Sequence, residues 1–165
     1  MNVRRSLVVP AAIMLGAVGY AQERALGQEP GEPFETPPIP PAGAARAQPI
    51  AAIAGKDVIV CVPNVQLPHN SKHVPGTINV VATVACTKKV KSIAVRTGLY
   101  RNRKRVKMSG TRYFPGSRFG ANNAAVRCRP GSYLGAVSWT VRFPPGYVPS
   151  VLTKLAWGDT RKLSC

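Results

Sequence analysis

A chain of 165 residues with 23 Lys and Arg against six Asp and Glu carries a formal net charge of +17, so it repels itself and attracts anionic polymers and surfaces in a salt-dependent way. Its length leaves room for one domain once the N-terminal segment is set aside. Beyond Asp57 the only side-chain carboxylate is Asp159, which argues against hydrolysis by paired carboxylates.

The first residues, MNVRRSLVVPAAIMLGAVGYAQE, predict a signal peptide over 1–21. Arg4 and Arg5 form the basic region, Leu7 to Val18 the apolar one, and Gly19 and Ala21 flank a cleavage point after Ala21. The apolar run is shorter than the ~20 residues a spanning helix needs, and no second run follows, so no transmembrane segment is expected in the mature chain. The adjacent arginines match a twin-arginine signal only in part; general secretion is favoured. The expected location is extracellular, with wall association as an option.

Residues 22–56 hold seven prolines among alanines, glycines and glutamates. Such a segment cannot bury enough surface to offset its ordering entropy and reads as a disordered linker. The folded domain is then expected over 57–165.

In that domain the periodicity switches to two. TINVVATVAC sets Ile78, Val80, Ala82, Val84 and Cys86 on one face. KSIAVRTGLY sets Ile93, Val95, Thr97 and Leu99 inward, against Ala94, Arg96, Gly98 and Tyr100. SYLGAVSWTVRF sets Tyr133, Gly135, Val137, Trp139, Val141 and Phe143 inward. Alternation with β-branched and aromatic residues argues half-buried strands. Shorter candidates are Asp57–Val62, Arg105–Met108, Ala121–Cys128 and Val151–Trp157. Turn signals separate them, and no sustained helical period occurs. About seven short strands predict an all-β, immunoglobulin-like β-sandwich, with a small OB-like barrel as the alternative.

Tyr133 opens a strand directly after the turn CRPGS and resembles the tyrosine corner of immunoglobulin-like domains. Gly135 stands where an antibody domain has its second cysteine. Four cysteines in an exported chain imply two disulfides, whose connectivity the sequence leaves open among three possibilities. The expectation adopted is Cys86 with Cys128, and Cys61 with Cys165.

PHNSKHVPGTINVVATVAC, VRTGLYRN and FPPGY together resemble small secreted β-rich proteins of actinobacteria with no assigned activity. The resemblance spans Val62 to Val148, implies secretion and a β fold, and carries no catalytic residue across. Two departures stand out. Relatives of that kind have glycine after Tyr-Arg-Asn, where this chain has Arg103, and are much less basic.

A Ser–His–Asp set could be drawn from His69 or His73 with Asp159, but no Gly-x-Ser-x-Gly elbow exists. Disulfides would leave no thiolate for cysteine catalysis. His69 and His73 lie between Pro68 and Pro75, so their four-residue spacing promises no shared helix face and no metal site is expected. No phosphate-binding glycine loop is present, and no cofactor is expected. The chain is read as non-enzymatic.

What remains is LYRNRKRVKMSG. As an extended strand it would place Arg103, Arg105 and Lys107 on one face, about 6.8 Å apart. Lys88, Lys89 and Lys91 would enter the partner strand at its other end, Arg101 and Lys104 would flank the turn, and Arg112 and Arg118 interleave with Tyr113, Phe114 and Phe119. Those cations are the candidate polyanion site, with the aromatic rings available for stacking. The expected partner is an anionic polymer: a wall polymer, nucleic acid or acidic polysaccharide. The chain is expected to be monomeric. The alternatives are an extracellular protein-binding, inhibitor or structural module, and a small secreted enzyme or toxin.

Overall fold

The computed structural model describes residues 48–165; the expected signal peptide and residues 22–47 of the expected linker lie outside them. Ten strands follow in order: β1 (Ile50–Ala54), β2 (Asp57–Val65), β3 (His69–Asn70), β4 (Thr77–Cys86), β5 (Ser92–Arg101), β6 (Lys104–Met108), β7 (Arg112–Pro115), β8 (Phe119–Arg127), β9 (Gly131–Arg142) and β10 (Val151–Leu163). No helix occurs among the described residues. The folded part begins before Asp57. β1 pairs along β2 and buries Ile50 and Ala52, because its alternate residues are apolar despite the proline- and alanine-rich context.

All pairing is antiparallel, and the strands form two separate sheets rather than the one closed sheet of a barrel. In the first, the path is β1-β2-β4, with β3 also on β4 and β8 pairing β4 along almost its full length. In the second it is β10-β9-β5, with β6 and β7 sharing β5: β6 takes residues 98–101 and β7 takes 92–95.

The inward residues expected from the alternation are the buried ones. Ile78, Val80, Ala82 and Val84 of the first sheet are fully buried, as are Ile93, Val95, Leu99, Val137 and Val141 of the second. One cluster unites the sheets, with Ile59, Ala82 and Val84 meeting Val95, Val137 and Trp139. Burying such side chains contributes about 1.5–3 kcal/mol each. Gly135 is a point of close approach between the layers: a Cβ built there would lie 2.5 Å from Val80 Cγ2. No cysteine could occupy that position without moving β4, which accounts for the departure from the antibody pattern.

The second sheet has a buried cluster on its outer side as well. Tyr100 and Ala136 are 2 % exposed there, covered by Trp157, whose ring centroid lies 5.0 Å from that of Tyr100. Alternation assigns Tyr100 and Gly98 to the far face correctly but does not reveal that neighbouring strands cover it.

The disulfides are Cys61–Cys86 and Cys128–Cys165, so the expected pairing of Cys86 with Cys128 and of Cys61 with Cys165 is corrected. Cys61 and Cys86 sit opposite each other in the β2–β4 ladder. β8 runs antiparallel to β4 and begins beside Ala85, so Cys128, which follows its end, is at the opposite end of the sheet from Cys86. It meets Cys165 there, just after β10.

Candidate functional site

The basic hairpin is present but built differently from a regular strand. Arg101 pairs with Lys104, which leaves Asn102 and Arg103 as a two-residue turn with φ of 48° and 66°. Positive φ at both positions is the turn whose twist suits a hairpin, and Asn followed by Gly is its preferred sequence. Arg103 occupies the glycine position. Asn102 secures the tip: its amide donates to the Ser132 carbonyl at 2.8 Å, and its side-chain oxygen accepts from Ser132 N at 2.9 Å.

A register shift then separates the cations. Lys107 pairs with Leu99 and Arg105 with Tyr100, so two steps on β6 match one on β5. Adjacent strand residues face opposite ways, and directly paired residues face the same way. Arg105 therefore shares the outer side with Tyr100, while Lys107 shares the inner side with Leu99. The expectation that Arg103, Arg105 and Lys107 line one strand face is overturned: Arg103 is in the turn and the other two diverge.

The surroundings of Tyr100 agree with that placement. Burial pushes its phenol up, and the nearby Arg105 cation pulls it partly back. The phenol oxygen is buried without a hydrogen-bond partner.

Arg112 pairs with Val95 and so also takes the inner side, as does Arg101 by alternation. These inner-side cations border the seam where β6 and β7 lie against β8 of the other sheet. Asn122 of β8 closes the seam, donating to the Val95 carbonyl at 2.9 Å, Ser109 Oγ at 2.9 Å and the Gly110 carbonyl at 2.7 Å. From Val95 to Arg101 is six residues along β5, so Arg112, Lys107 and Arg101 span about 20 Å.

At the hairpin end the seam opens into a cleft of about 230 Å³ lined by Arg101, Val106, Val126, Arg127, Arg129 and Tyr133. The basic run gives no pointer to Arg127 and Arg129, which lie well beyond it in the chain. Arg127 pairs with Thr77 at the end of the β4–β8 ladder, so its side chain takes the outer side of the first sheet, opposite that of the neighbouring Val126. Arg129 is held by the corner tyrosine, whose hydroxyl donates to the Arg129 carbonyl at 2.7 Å. Between them Cys128 is bonded to Cys165. Gly131 makes room for the third arginine: a Cβ there would sit 3.0 Å from Arg101 Cγ.

The other candidates lie elsewhere. Lys88, Lys89 and Lys91 lie between β4 and β5, and Arg118 between β7 and β8, at the far end of β5. Ten residues of strand separate Lys91 from Arg101, about 34 Å. Lys88 is ion-paired with Asp57, which also accepts from the Tyr147 hydroxyl at 2.6 Å. The Lys88 and Tyr147 hydrogen bonds hold the Asp57 carboxyl below its ordinary range; Asp57 in turn raises Lys88 and Tyr147. Tyr113 is 72 % exposed and Phe119 50 %, whereas Phe114 packs against the core with the Arg112 guanidinium 5.5 Å from its ring centroid. His69 Nδ1 lies 3.1 Å from the Leu67 carbonyl oxygen.

The cations are not spread over every surface. By alternation, the outer side of the first sheet presents Ala51, Ile53, Val58, Val60 and Val62, continues through Val81 and Thr83, and ends on Ala121 and Asn123 of β8; no charged residue takes a position there between Val58 and Asn64 or between Phe119 and Ala125. Among the described residues, the positive charge lies on the second sheet, its seam and the two ends.

No family model and no curated protein matches the chain.

Proposed function

We propose that this chain is a secreted, non-enzymatic binding module that holds anionic polymers along the seam of an immunoglobulin-like sandwich. The strand order β10-β9-β5-β6 follows that of the G, F, C and C′ strands, and β2, β4 and β8 follow the A, B and E strands of the facing sheet, with β1 an additional strand beside β2. The Tyr133 hydroxyl bonded to the Arg129 carbonyl has the geometry of a tyrosine corner. Two disulfides suit an oxidising compartment outside the cytoplasm. No helix among the described residues is long and apolar enough to cross a membrane.

The observation that carries the reading is that Arg101, Arg127 and Arg129 all border one cleft, with no carboxylate among its lining residues. Like charges held together in this way are relieved by an anion, and a polymer adds counterion release. Asp57 is engaged by Lys88 and Tyr147, and Asp159 lies in β10, three strands from β6. Neither of these two carboxylates serves the cleft as an internal partner.

Retention on polyphosphate, DNA and heparin between low and moderate salt tests this. A polymer gripped through about six such contacts loses about a thousandfold in affinity between roughly 50 and 200 mM salt. Retention that does not change with salt would instead favour a protein-binding module, for which the uncharged outer side of the first sheet is the available surface.

A further inference from the structure

We infer that the outer side of the first sheet is a self-association surface. Two copies of this chain pack there face to face, which sets their cationic second sheets on opposite sides of a dimer. The inference goes beyond the polymer reading and does not rest on it; the dimer departs from the monomer expected from the sequence.

The register builds the face. Ile53 pairs with Val58, Ala51 with Val60, Ala85 with both Val62 and Phe119, and Val81 with Asn123, and paired residues face the same way. Val148 bridges to Ile53 and extends the face past β1. β-Branched and small side chains of this kind form a pleated surface suited to another sheet. The face lies open among the described residues: Ile53, Val58, Val62, Phe119 and Val148 are 42–74 % exposed. The outer side of the second sheet differs, because Trp157 and Tyr100 pack over it. A contiguous exposed apolar surface marks an interaction site.

Charge selects the occupant. β1 and β4 hold no charged residue, and none takes a position on this side between Val58 and Asn64 or between Phe119 and Ala125. Copies with a formal net charge of +17 repel each other, and on this face they meet without setting cation against cation. Charge stands only at its ends, with the Asp57–Lys88 ion pair beyond Val58 and Arg127 beyond Ala125, like the polar rim of an interface. A two-fold axis lets the one patch serve both copies.

The area is sufficient. Four residues from Val58 to Val62, and a further six from Phe119 to Ala125, give a length of about 34 Å across two to four strands about 4.8 Å apart. Two such faces bury on the order of 1,000 Å² in total, the least that a specific interface needs, so the dimer is weak, in the micromolar range. Its two second sheets point away from each other, and one dimer offers two cationic surfaces.

The test is sedimentation equilibrium of the full chain, disulfides intact and no polymer present, from about 1 to 500 µM at about 50 and 500 mM NaCl. A monomer–dimer equilibrium is expected. It should tighten about threefold or more at the higher salt, because screening removes like-charge repulsion, whereas polymer binding weakens under the same change. Val62→Lys/Phe119→Lys, in the middle of the face, should leave only monomer with thermal unfolding close to the parent. Tyr113→Lys, on the outer side of the second sheet, should leave the dimer unchanged. Concentration-dependent NMR shifts of the parent should centre on Val58–Asn64, Val81–Thr83 and Phe119–Asn123. Monomer at every concentration and salt, a dimer that survives the two lysines, or shifts centred on the basic hairpin would overturn the inference. The parent's shifts decide it even if the lysine variant does not fold. With no polymer present, these outcomes leave the polymer reading standing, and loss of polyanion retention would leave the dimer standing.

Discussion

Replacing Arg103 by glycine should make the protein more stable and a weaker binder at once. Arg103 is held at φ 66°, in the left-handed region, as the second residue of a tight turn. That conformation costs an ordinary L-residue roughly 1–2 kcal/mol, and glycine almost nothing. Glycine also gives the unfolded chain more freedom, which takes back roughly 0.4–1 kcal/mol. The net expectation is a gain of about 0.5–1 kcal/mol, or an increase in Tm of about 2–5 °C for a domain of this size. The substitution removes one exposed cation beside the cleft, so the slope of log affinity against log salt for a double-stranded polyanion should fall by about 0.9. Urea and thermal unfolding under non-reducing conditions give the first quantity, and filter or column retention the second. Arg103→Asn is the control, since asparagine tolerates the conformation and carries no charge. A destabilised glycine variant would refute the strained turn; an unchanged salt slope would take Arg103 out of the polymer contact.

Three other outcomes are expected. Peptide mapping without reduction should recover Cys61 with Cys86 and Cys128 with Cys165, and the double variant Cys128→Ser/Cys165→Ser should lose roughly 4 kcal/mol from reopening its 37-residue loop. Tyr133→Phe should cost about 1 kcal/mol through the lost bond to the Arg129 carbonyl; unchanged denaturation would show that the corner holds nothing. The Asp57 group links stability to pH at both extremes. Its depressed carboxyl contributes above the ordinary value of 3.8 and is lost as acid protonates it; the raised Lys88 and Tyr147 contribute below 10.5 and 10.0 and are lost as pH rises through their elevated values. Asp57→Asn should remove both dependences, and an NMR titration showing Asp57 at its ordinary value would contradict the pairing.

Much of the scaffold is legible in the sequence because its central strands are half-buried. β4, β5 and β9 alternate cleanly over ten or more residues, and their expected inward sets are the buried ones. β1 is alanine-rich, β3 has two residues and β7 four, too little pattern to separate from loop. Parity puts Cys86 on the right face, but it does not say which strands are neighbours, and neighbours decide disulfides. The same limit applies to the cations. A run such as RNRKRVK shows local charge density, yet the bulge at Val106 splits it between two sides, and no local signal announces a bulge. Arg127 and Arg129 come to border the cleft through long-range structure, the β4–β8 pairing that ends at Arg127 and the corner bond to the Arg129 carbonyl. The sequence does hold one cue to them: the arginines of RCRP flank a cysteine and directly precede the corner made by Tyr133.

The most direct measurement compares two variants with equal loss of charge. Arg101→Gln/Arg127→Gln/Arg129→Gln removes the three arginines that border the cleft; Lys89→Gln/Lys91→Gln/Arg118→Gln removes three from the far end. On one double-stranded or densely sulfated polymer, the first should lower the salt slope by about 2.7 and affinity by more than about tenfold at low salt, and the second should stay near the parent protein. Equal losses in both would mean that net charge alone binds the polymer and that the seam and its cleft are not a site.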